Sequence, residues 1–370
     1  MAFLASYLPL ITSIEKEINE YLDEKIELNK NPILDEFYRL VRAHVLAGGK
    51  RLRPLSMIMA YRAYRDDDDI IRPSISPELV HSSSLILDDA MDEDVLRHGE
   101  PTFNAIYADK FLDSIGFDIS KYAKGRYWIQ RDTLKELFFA QKAISRYSYA
   151  LSVMGSNVIY SMSLEALTRC DFSDQAKLSA LELHRRMYQK LNEGQLMDIL
   201  YESHKANEEE YLAMIQKKTG ILFVYPYRIG LTYAGVEDIN QLDTYAHLMA
   251  KAFQIHDDIL GSFGSEKVTG KPSYSDITEG KRTLLVIKAL EEADEHQKKR
   301  LGSILGYEHA SREDVAEVRD IFMDTGAYDY CVKLSAELVR QSKEALPEAI
   351  RPESYAFFEG LADFVIQRNK

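Results

Sequence analysis

The chain has 370 residues, 46% hydrophobic and 28% charged, which is the size of one large or two ordinary domains with ample apolar material for a core. That balance excludes collagen-like, disordered and disulfide-scaffold classes. Lys and Arg total 46 against 59 Asp and Glu, a formal charge of −13, which argues against broad nucleic-acid backbone binding and leaves any anionic ligand to local bases or metal ions. Cys170 and Cys331 are the two cysteines. They make neither a disulfide framework nor a metal quartet, so a reducing, cytoplasmic setting is expected.

From the N-terminus, residues 1–10 are apolar with no base before Lys16. They read as the first turns of a core helix, not as a secretory signal. Thr12 and Glu15 have capping-box spacing ahead of an amphipathic run to about Leu28. Helical period recurs at 33–46 and 53–65, and Asp66 to Asp69 reads as a solvated loop. Ser76 is a good N-cap, with Pro77 at N1 and Glu78 in the first turn of a helix to about Met91. Residues 108–148 stand apart, rich in aromatics and bases, and are read as an insertion whose simplest role is packing. Further helical segments fall at 131–168, 176–203, 209–235, 241–261, 281–294, 312–346 and 353–368. The most apolar run, Ile221 to Val236, is broken by Pro226 and Arg228, so no segment of about 18 uncharged apolar residues spans a bilayer. Alternating strands and linkers of Gly, Ser or Pro are missing. The expected fold is all-α: one domain over 1–370, a large bundle of about ten or more helices around a central apolar cavity.

Two acidic clusters carry the chemical information. Asp88, Asp89 and Asp92 share one side of a helix directly after Leu85, Ile86 and Leu87. Gln254, Asp257, Asp258 and Gly261 fall on one face of a later helix, among Phe253 and Ile255. A lone cluster of this kind is most often a solvated helix face. Apolar neighbours argue against that here, because crowded carboxylates in such surroundings resist ionising together. Oxygen-only donors point to a hard cation, Mg²⁺ or Mn²⁺, of the sort held by a few carboxylates plus substrate phosphates. Two glycines before three bases, in Gly48-Gly49-Lys50-Arg51-Leu52-Arg53-Pro54, make a plausible anion clamp, or equally a helix start with solvated bases. Arg97, Lys218-Thr219, Lys271 and Lys281 follow in order around the acidic clusters, with Asp276 between the last two. Each lysine alone reads as a surface residue.

With these motifs in this order, the chain resembles the trans-prenyl diphosphate synthases, the head-to-tail polyprenyl synthetases of geranylgeranyl diphosphate synthase type. The likeness runs from Gly48 nearly to the end. It rests on Gly48 to Pro54, Glu78-Leu-Val-His81, Asp88 to Arg97, Gly194-Gln195 with Asp198, Lys218-Thr219, Gln254 with Asp257 and Asp258, and Lys271 to Lys281. The basic ending, with Arg368 and Lys370, is similar too. The resemblance implies the isoprenoid synthase fold and a homodimer. It implies a Mg²⁺-dependent prenyltransferase using three ions, with Mn²⁺ as a substitute. Asp88, Asp89, Asp92, Asp257 and Asp258 would hold the metal. Lys218, Thr219, Gln254 and Lys271 would serve ionisation of an allylic diphosphate (C5–C15), and Arg97 would add charge. Isopentenyl diphosphate would be held by Lys50, Arg53 and His81, with His98, Gln195 and Lys281 also in the substrate-binding set.

The sequence departs from the family pattern in places. Arg97-His98 stands where two arginines are usual, Leu87 where many members have His, and Gly155-Ser156 where Gly-Asp is usual. In the family, bulky residues one turn before the first acidic cluster stop chain growth. Here those positions are Ser83 and Ser84, about 6–8 Å up the axis, with Val80 a turn further. An open level there implies a C20 product (geranylgeranyl diphosphate) or longer, with the floor set elsewhere by Tyr107, Tyr160 or Met162. The alternatives are a polyprenyl synthase making C25–C30 or longer products, a class I terpene cyclase, an HD-type metal phosphohydrolase suggested by His256-Asp257 and His81, and a non-catalytic synthase subunit.

Overall fold

The computed structural model describes residues 2–97, 99–117, 138, 141–264, 274–307 and 309–367. The chain divides into two compact units. The first is Pro9–Leu55 with Ile71–Asp171, and the second is Met1–Leu8, Ser56–Ile70 and Phe172–Lys370. Both are helical. Strand structure among the described residues is limited to β1 (Leu96–Arg97) and β2 (Glu100–Pro101), paired antiparallel with Arg97 opposite Glu100. The all-α class holds.

In the first unit, α1 (Leu8–Glu27) starts four residues before Thr12. Pro9 near its start presets helical φ and needs no N–H partner, and the Ser13 hydroxyl already donates to the Pro9 carbonyl at 3.1 Å. α2 (Pro32–Leu46) is capped by Asn31, with Pro32 at its first position. α3 (Leu52–Arg62) contains the boundary between the units. α4 (Ser76–Met91) has Ile75, not Ser76, at its N-cap, because the short helix Ile71–Ser74 delivers the chain already in helical conformation. α5 (Phe103–Ser114) was not expected as a separate helix; its signal is Thr102, whose hydroxyl accepts from the Ala105 amide. α6 (Lys142–Thr168) covers the described part of the run expected at 131–168. Residues 118–137, most of the insertion, lie outside the described residues. Phe138 is fully buried, in a core with Val95, Ala105, Ala108, Leu112 and Ile144. α4 and α6 meet through small residues: the Ser83 and Ser156 hydroxyls are 3.0 Å apart. Beside them, Gly155 leaves room for the Phe103 ring, 2.7 Å from where a Cβ would stand.

The second unit holds α7 (Asp174–Ser203), α8 (Glu208–Ile215), a π-turn at Gln216–Gly220 and α9 (Ile221–Tyr233). α10 (Asp243–Phe263), α11 (Leu284–Glu292) and α12 (Glu295–Ile304) follow. α13 (Arg312–Asp324), α14 (Ala327–Glu344) and α15 (Pro352–Gln367) complete it. Two long predicted helices are divided. The run 209–235 is interrupted by the π-turn, and 312–346 breaks at Gly326, whose φ of 73° ends one helix and turns into the next. α12 was missed, although Asp294 and Gln297 form its reciprocal capping box. The fully buried Tyr245 donates its hydroxyl to the Phe358 carbonyl at 2.6 Å, tying α10 to α15. Among the described residues no helix is long and apolar enough to cross a membrane.

Candidate active site

In the first unit the apolar face of α4 carries the acidic residues to the helix end. Asp89 is fully buried, Asp88 is largely so, and Asp92 is the C-cap, its amide donating to the Asp88 carbonyl. Arg97 folds back over them from β1. Its Nε donates to Asp89 Oδ1 at 2.6 Å, and its Nη2 lies 3.3 Å from Asp88 Oδ2. Burial opposes the charge of Arg97, but Asp89 and Asp88 hold the guanidinium protonated, above its ordinary range. Asn104 supports the turn that follows, donating to the carbonyls of Asp89 and Asp94.

The Gly48 to Pro54 turn resolves its three bases into two kinds. Arg51 points inward and is 3% exposed. Its Nη1 lies 2.6 Å from Glu78 Oε1 and 3.2 Å from the Val45 carbonyl. Gly49, at φ 108°, makes space for this pair: a Cβ there would stand 3.2 Å from Arg51 Nη1. Lys50 and Arg53, either side of the anchor, are half-buried. His81 lies one turn beyond Glu78. Burial, then the charges of Arg53 and Arg97, push its imidazole well below the ordinary histidine range. Its Nδ1 is buried without a hydrogen-bond partner. Asp88 acts on the ring in the opposite sense, but the two guanidinium charges outweigh it, and a neutral ring in such surroundings fits an anionic ligand. His98 lies outside the described residues.

In the second unit the two aspartates of α10 have different surroundings. Asp257 is exposed and Asp258 is buried. Asp258 Oδ2 accepts from the Tyr211 hydroxyl at 2.5 Å, and its Oδ1 accepts from Gln254 Nε2 at 2.9 Å. Gln254 Oε1 in turn accepts from the Thr219 hydroxyl at 2.7 Å. Gly261 is where a third acid of the cluster would stand, and Asp276 fills the gap: its Oδ2 would be 2.1 Å from a Cβ at Gly261. Sequence reading gave Asp276 no role, although its position between Lys271 and Lys281 was visible. Burial, then Asp276 and Asp257, push the Asp258 carboxyl upward against its two hydrogen bonds. Such a site is short of positive charge and fits a cation. Among the described residues no three acidic, His or Cys groups converge into a complete metal cage. A Mg²⁺ site completed by substrate phosphates does not need one.

Lys218 and Thr219 are presented by the π-turn, a geometry that recurs at functional sites. Lys218 Nζ donates to Asp198 Oδ2 on α7 at 2.5 Å. Gln195, on the same helix, is half-buried. Lys281 pairs with Glu279 at 3.0 Å, its amide donating to the Asp276 carbonyl. Lys271 lies outside the described residues. The three chain-length positions do not share one face. Val80 and Ser83 are fully buried, with Ser83 turned to α6, whereas Ser84 is half-buried and donates to the His81 carbonyl at 2.8 Å. Of the candidate floor residues, Tyr107 packs on Phe103 at 5.1 Å between ring centroids. Met162 is buried, its carbonyl accepting from Tyr21, and Tyr160 is half-buried.

Apolar helices ending in carboxylates, each with bases or hydroxyls beside them, define a helical enzyme class that handles anionic substrates. The polyprenyl synthetase family model matches residues 35–119 and 140–322. A short chain isoprenyl diphosphate synthase of Methanothermobacter thermautotrophicus is 31% identical over 97% of this chain and 98% of its own. A geranylgeranyl diphosphate synthase of Saccharolobus solfataricus is 32% identical over 92% of this chain and 94% of its own. The crystal structure of a geranylgeranyl pyrophosphate synthetase from Pyrococcus horikoshii superposes with a TM-score of 0.77 at 29% identity, covering 98% of this chain and 99% of that one. The chain belongs to the polyprenyl synthetase family and is a prenyltransferase.

Proposed function

We propose that the protein condenses isopentenyl diphosphate with an allylic diphosphate of C5 to C15, giving a trans-prenyl diphosphate of C20 or longer. The observation that carries this reading is the His81 ring, its buried Nδ1 without a hydrogen-bond partner and the charges of Arg53 and Arg97 acting on it, about two turns from Asp88 and Asp89 on α4. An anion site so close to a carboxylate set suits an enzyme with two diphosphate substrates. A terpene cyclase has one.

Asp88, Asp89, Asp92 and Asp257 are the carboxylates offered to Mg²⁺, Asp276 joins Asp257 on the α10 side, and Asp258 stands behind it. When bound, the metal supplies positive charge to the leaving diphosphate. Arg97, Lys218 and Lys271 add fixed charge to the same group. The C1–O bond of the allylic substrate breaks with its electron pair going to the diphosphate oxygen. Lys50, Arg53 and His81 hold isopentenyl diphosphate, with His98, Gln195 and Lys281 supporting the substrates. The isopentenyl double bond attacks C1, and a proton leaves the resulting tertiary cation for a diphosphate oxygen. Thr219 and Gln254 steady the allylic cation through oxygen lone pairs, and the cation must be kept from water by apolar surroundings.

We also propose that the units act as one catalytic domain and that the protein is a homodimer. Exposed Tyr147 and Met154, two turns apart on one face of α6, support the latter. The deciding assay incubates purified protein with Mg²⁺, radiolabelled isopentenyl diphosphate and C5, C10 or C15 starters. Incorporation into products of C20 or longer is expected. Release of a hydrocarbon from the starter alone, with no isopentenyl diphosphate consumed, sinks the reading in favour of cyclisation.

A further inference from the structure

In the π-turn that presents Lys218 and Thr219, the Ile221 amide donates to the Gln216 carbonyl, five residues back. Such a turn carries one residue more than an α-helical one. Slipping to α-helical register would rotate the chain on one side of the turn by about 100° against the other. Lys218 and Thr219 would then shift relative to Asp198 and Gln254, to which they bond. The side chain of Gln216 is folded over the turn that it begins. A Cβ on Gly220 would stand 2.3 Å from Gln216 Nε2 and 3.0 Å from its Cδ, so the amide fills the space of a methyl group there. From that place Nε2 is hydrogen-bonded to Nδ1 of His247 on α10. Burial pushes the His247 imidazole down, helped by Lys251, Arg228 and Lys190 and opposed by Asp243, so the ring is neutral and its Nδ1 can accept. Gln216 Oε1 is buried without a hydrogen-bond partner, so the amide is held through His247. Without that contact it has room to turn into a groove of about 590 Å³, lined also by Leu212, Ala213 and Lys251.

We propose that Gln216 and His247 are positioning residues: the amide, laid over Gly220 and held by the imidazole, keeps the turn in its π-register and so keeps Lys218 and Thr219 aimed at the allylic diphosphate and the cation it leaves. This rests on the roles given to Lys218 and Thr219 above. The glycine at 220 follows from the same arrangement. Its φ of −61° is open to any residue, so the backbone does not demand glycine there. The Gln216 amide does, because it lies where a side chain would begin.

The test uses the full-length protein, with kcat and KM measured for both diphosphates. His247→Leu removes the acceptor. Its expected effect is a fall in kcat of about tenfold, with KM for isopentenyl diphosphate within about twofold of wild type. His247→Asn, whose amide oxygen can stand where Nδ1 stood, should recover to within about threefold of wild type. Gly220→Ala leaves both side chains present and evicts the amide. It should cost about tenfold alone, as Gln216→Ala does, and less than about twofold in a Gln216→Ala background. A residue that only supported the fold would lower the thermal unfolding temperature and show neither the asparagine rescue nor the cancellation in kcat. Wild-type rates in His247→Leu or Gly220→Ala overturn the proposal. So does an asparagine variant as slow as the leucine one, or a cost above about twofold for Gly220→Ala once the Gln216 side chain is gone. Should His247→Leu lose its helical circular dichroism, the Gly220→Ala cycle decides alone. Wild-type protein that consumes no isopentenyl diphosphate sinks the underlying reading and the proposal together; wild-type turnover with additive variants sinks the proposal alone.

Discussion

Gly194 lies against the backbone of Lys218: a Cβ on Gly194 would stand 2.3 Å from the Lys218 amide nitrogen and 2.6 Å from the Lys217 carbonyl carbon. α7 thus touches the π-turn directly, and that contact sets where Lys218 and Thr219 sit. Neither backbone atom is at the end of a flexible side chain, so Gly194→Ala must displace the turn. The expected cost is about 1–3 kcal/mol of stability. A fall in kcat of about tenfold or more is also expected, because a small misplacement of fixed charge is expensive at an ionising bond. Thermal unfolding and steady-state rates on one preparation check it. Values within twofold of wild type in both would show that the turn does not depend on this contact.

Arg51 and Glu78 make a second prediction. Both are nearly buried and bonded at 2.6 Å. Removing one partner strands the other, so Arg51→Met or Glu78→Gln should each cost about 3–5 kcal/mol. Arg51→Met with Glu78→Leu should restore most of that loss, since a buried pair contributes little net stability over apolar side chains of similar size. Urea titrations of the three variants decide it. If the double variant is as unstable as the sum of the singles, the pair does not act as a unit.

The carboxylates themselves give a third. Asp88→Ala and Asp257→Ala should each lower turnover by orders of magnitude, on the order of 10²–10³ in kcat, with helical circular dichroism unchanged. Near-normal rates in either would remove that residue from the metal-binding set.

How much of this was legible beforehand follows from which forces are local. The helices came from apolar period and capping residues, both written within a few positions of the element. That is why α2 and α4 were located to within a residue or two, and why the all-α class followed. The division of 209–235 at Gln216–Gly220 was hidden, because a π-turn is imposed by what packs on it, here Gly194 from α7. The different fates of neighbours were hidden for the same reason. Nothing in Lys50-Arg51-Leu52-Arg53 says which base turns inward; Glu78 decides that from α4. Asp257 and Asp258 look equivalent in sequence, yet Tyr211 and Gln254 hold only the second. Asp276 stood in plain view, but its proximity to Gly261 is a tertiary fact.

His44 supplies a pH dependence. Its Nε2 is 3.0 Å from the Ser82 carbonyl, and burial pushes its imidazole down to about 4. The ring is neutral in the folded protein, while in the unfolded chain it titrates near 6.5. Above 6.5 neither state is protonated and the group contributes no slope. Between 6.5 and about 4 the unfolded chain takes up a proton that the folded one refuses, so stability falls as pH drops. The loss should reach about 2–3 kcal/mol near the lower limit and then level off. Denaturant melts at pH 7.5 and 5 should show less of this difference in His44→Gln than in wild type. An unchanged difference would assign the slope to other groups.

Ser83 and Ser84 separate two effects that the sequence alone treats as one. In the sequence both are openings at the same level before Asp88, so an aromatic at either should shorten the product. Ser83, however, is fully buried with its hydroxyl 3.0 Å from that of Ser156, at the close crossing of α4 and α6. A phenylalanine there has no space. Ser83→Phe should therefore destabilise the first unit by about 1–3 kcal/mol or more through overpacking, and whatever turnover survives need not give shorter chains. Ser84 is half-buried, on the side of α4 that also carries His81 and Asp88. A ring in place of its hydroxyl narrows the path of a chain growing along that side. Ser84→Phe should fold normally and shift products to fewer isoprene units, seen by reversed-phase chromatography of the dephosphorylated alcohols. Because the tail extends one C5 unit at a time, the shift should appear as accumulation of the next shorter member, with initial rate on the shortest starter preserved. If Ser84→Phe leaves the product distribution unchanged while Ser83→Phe shortens it, the hydrocarbon passes between α4 and α6, and Ser156 becomes the position that limits length.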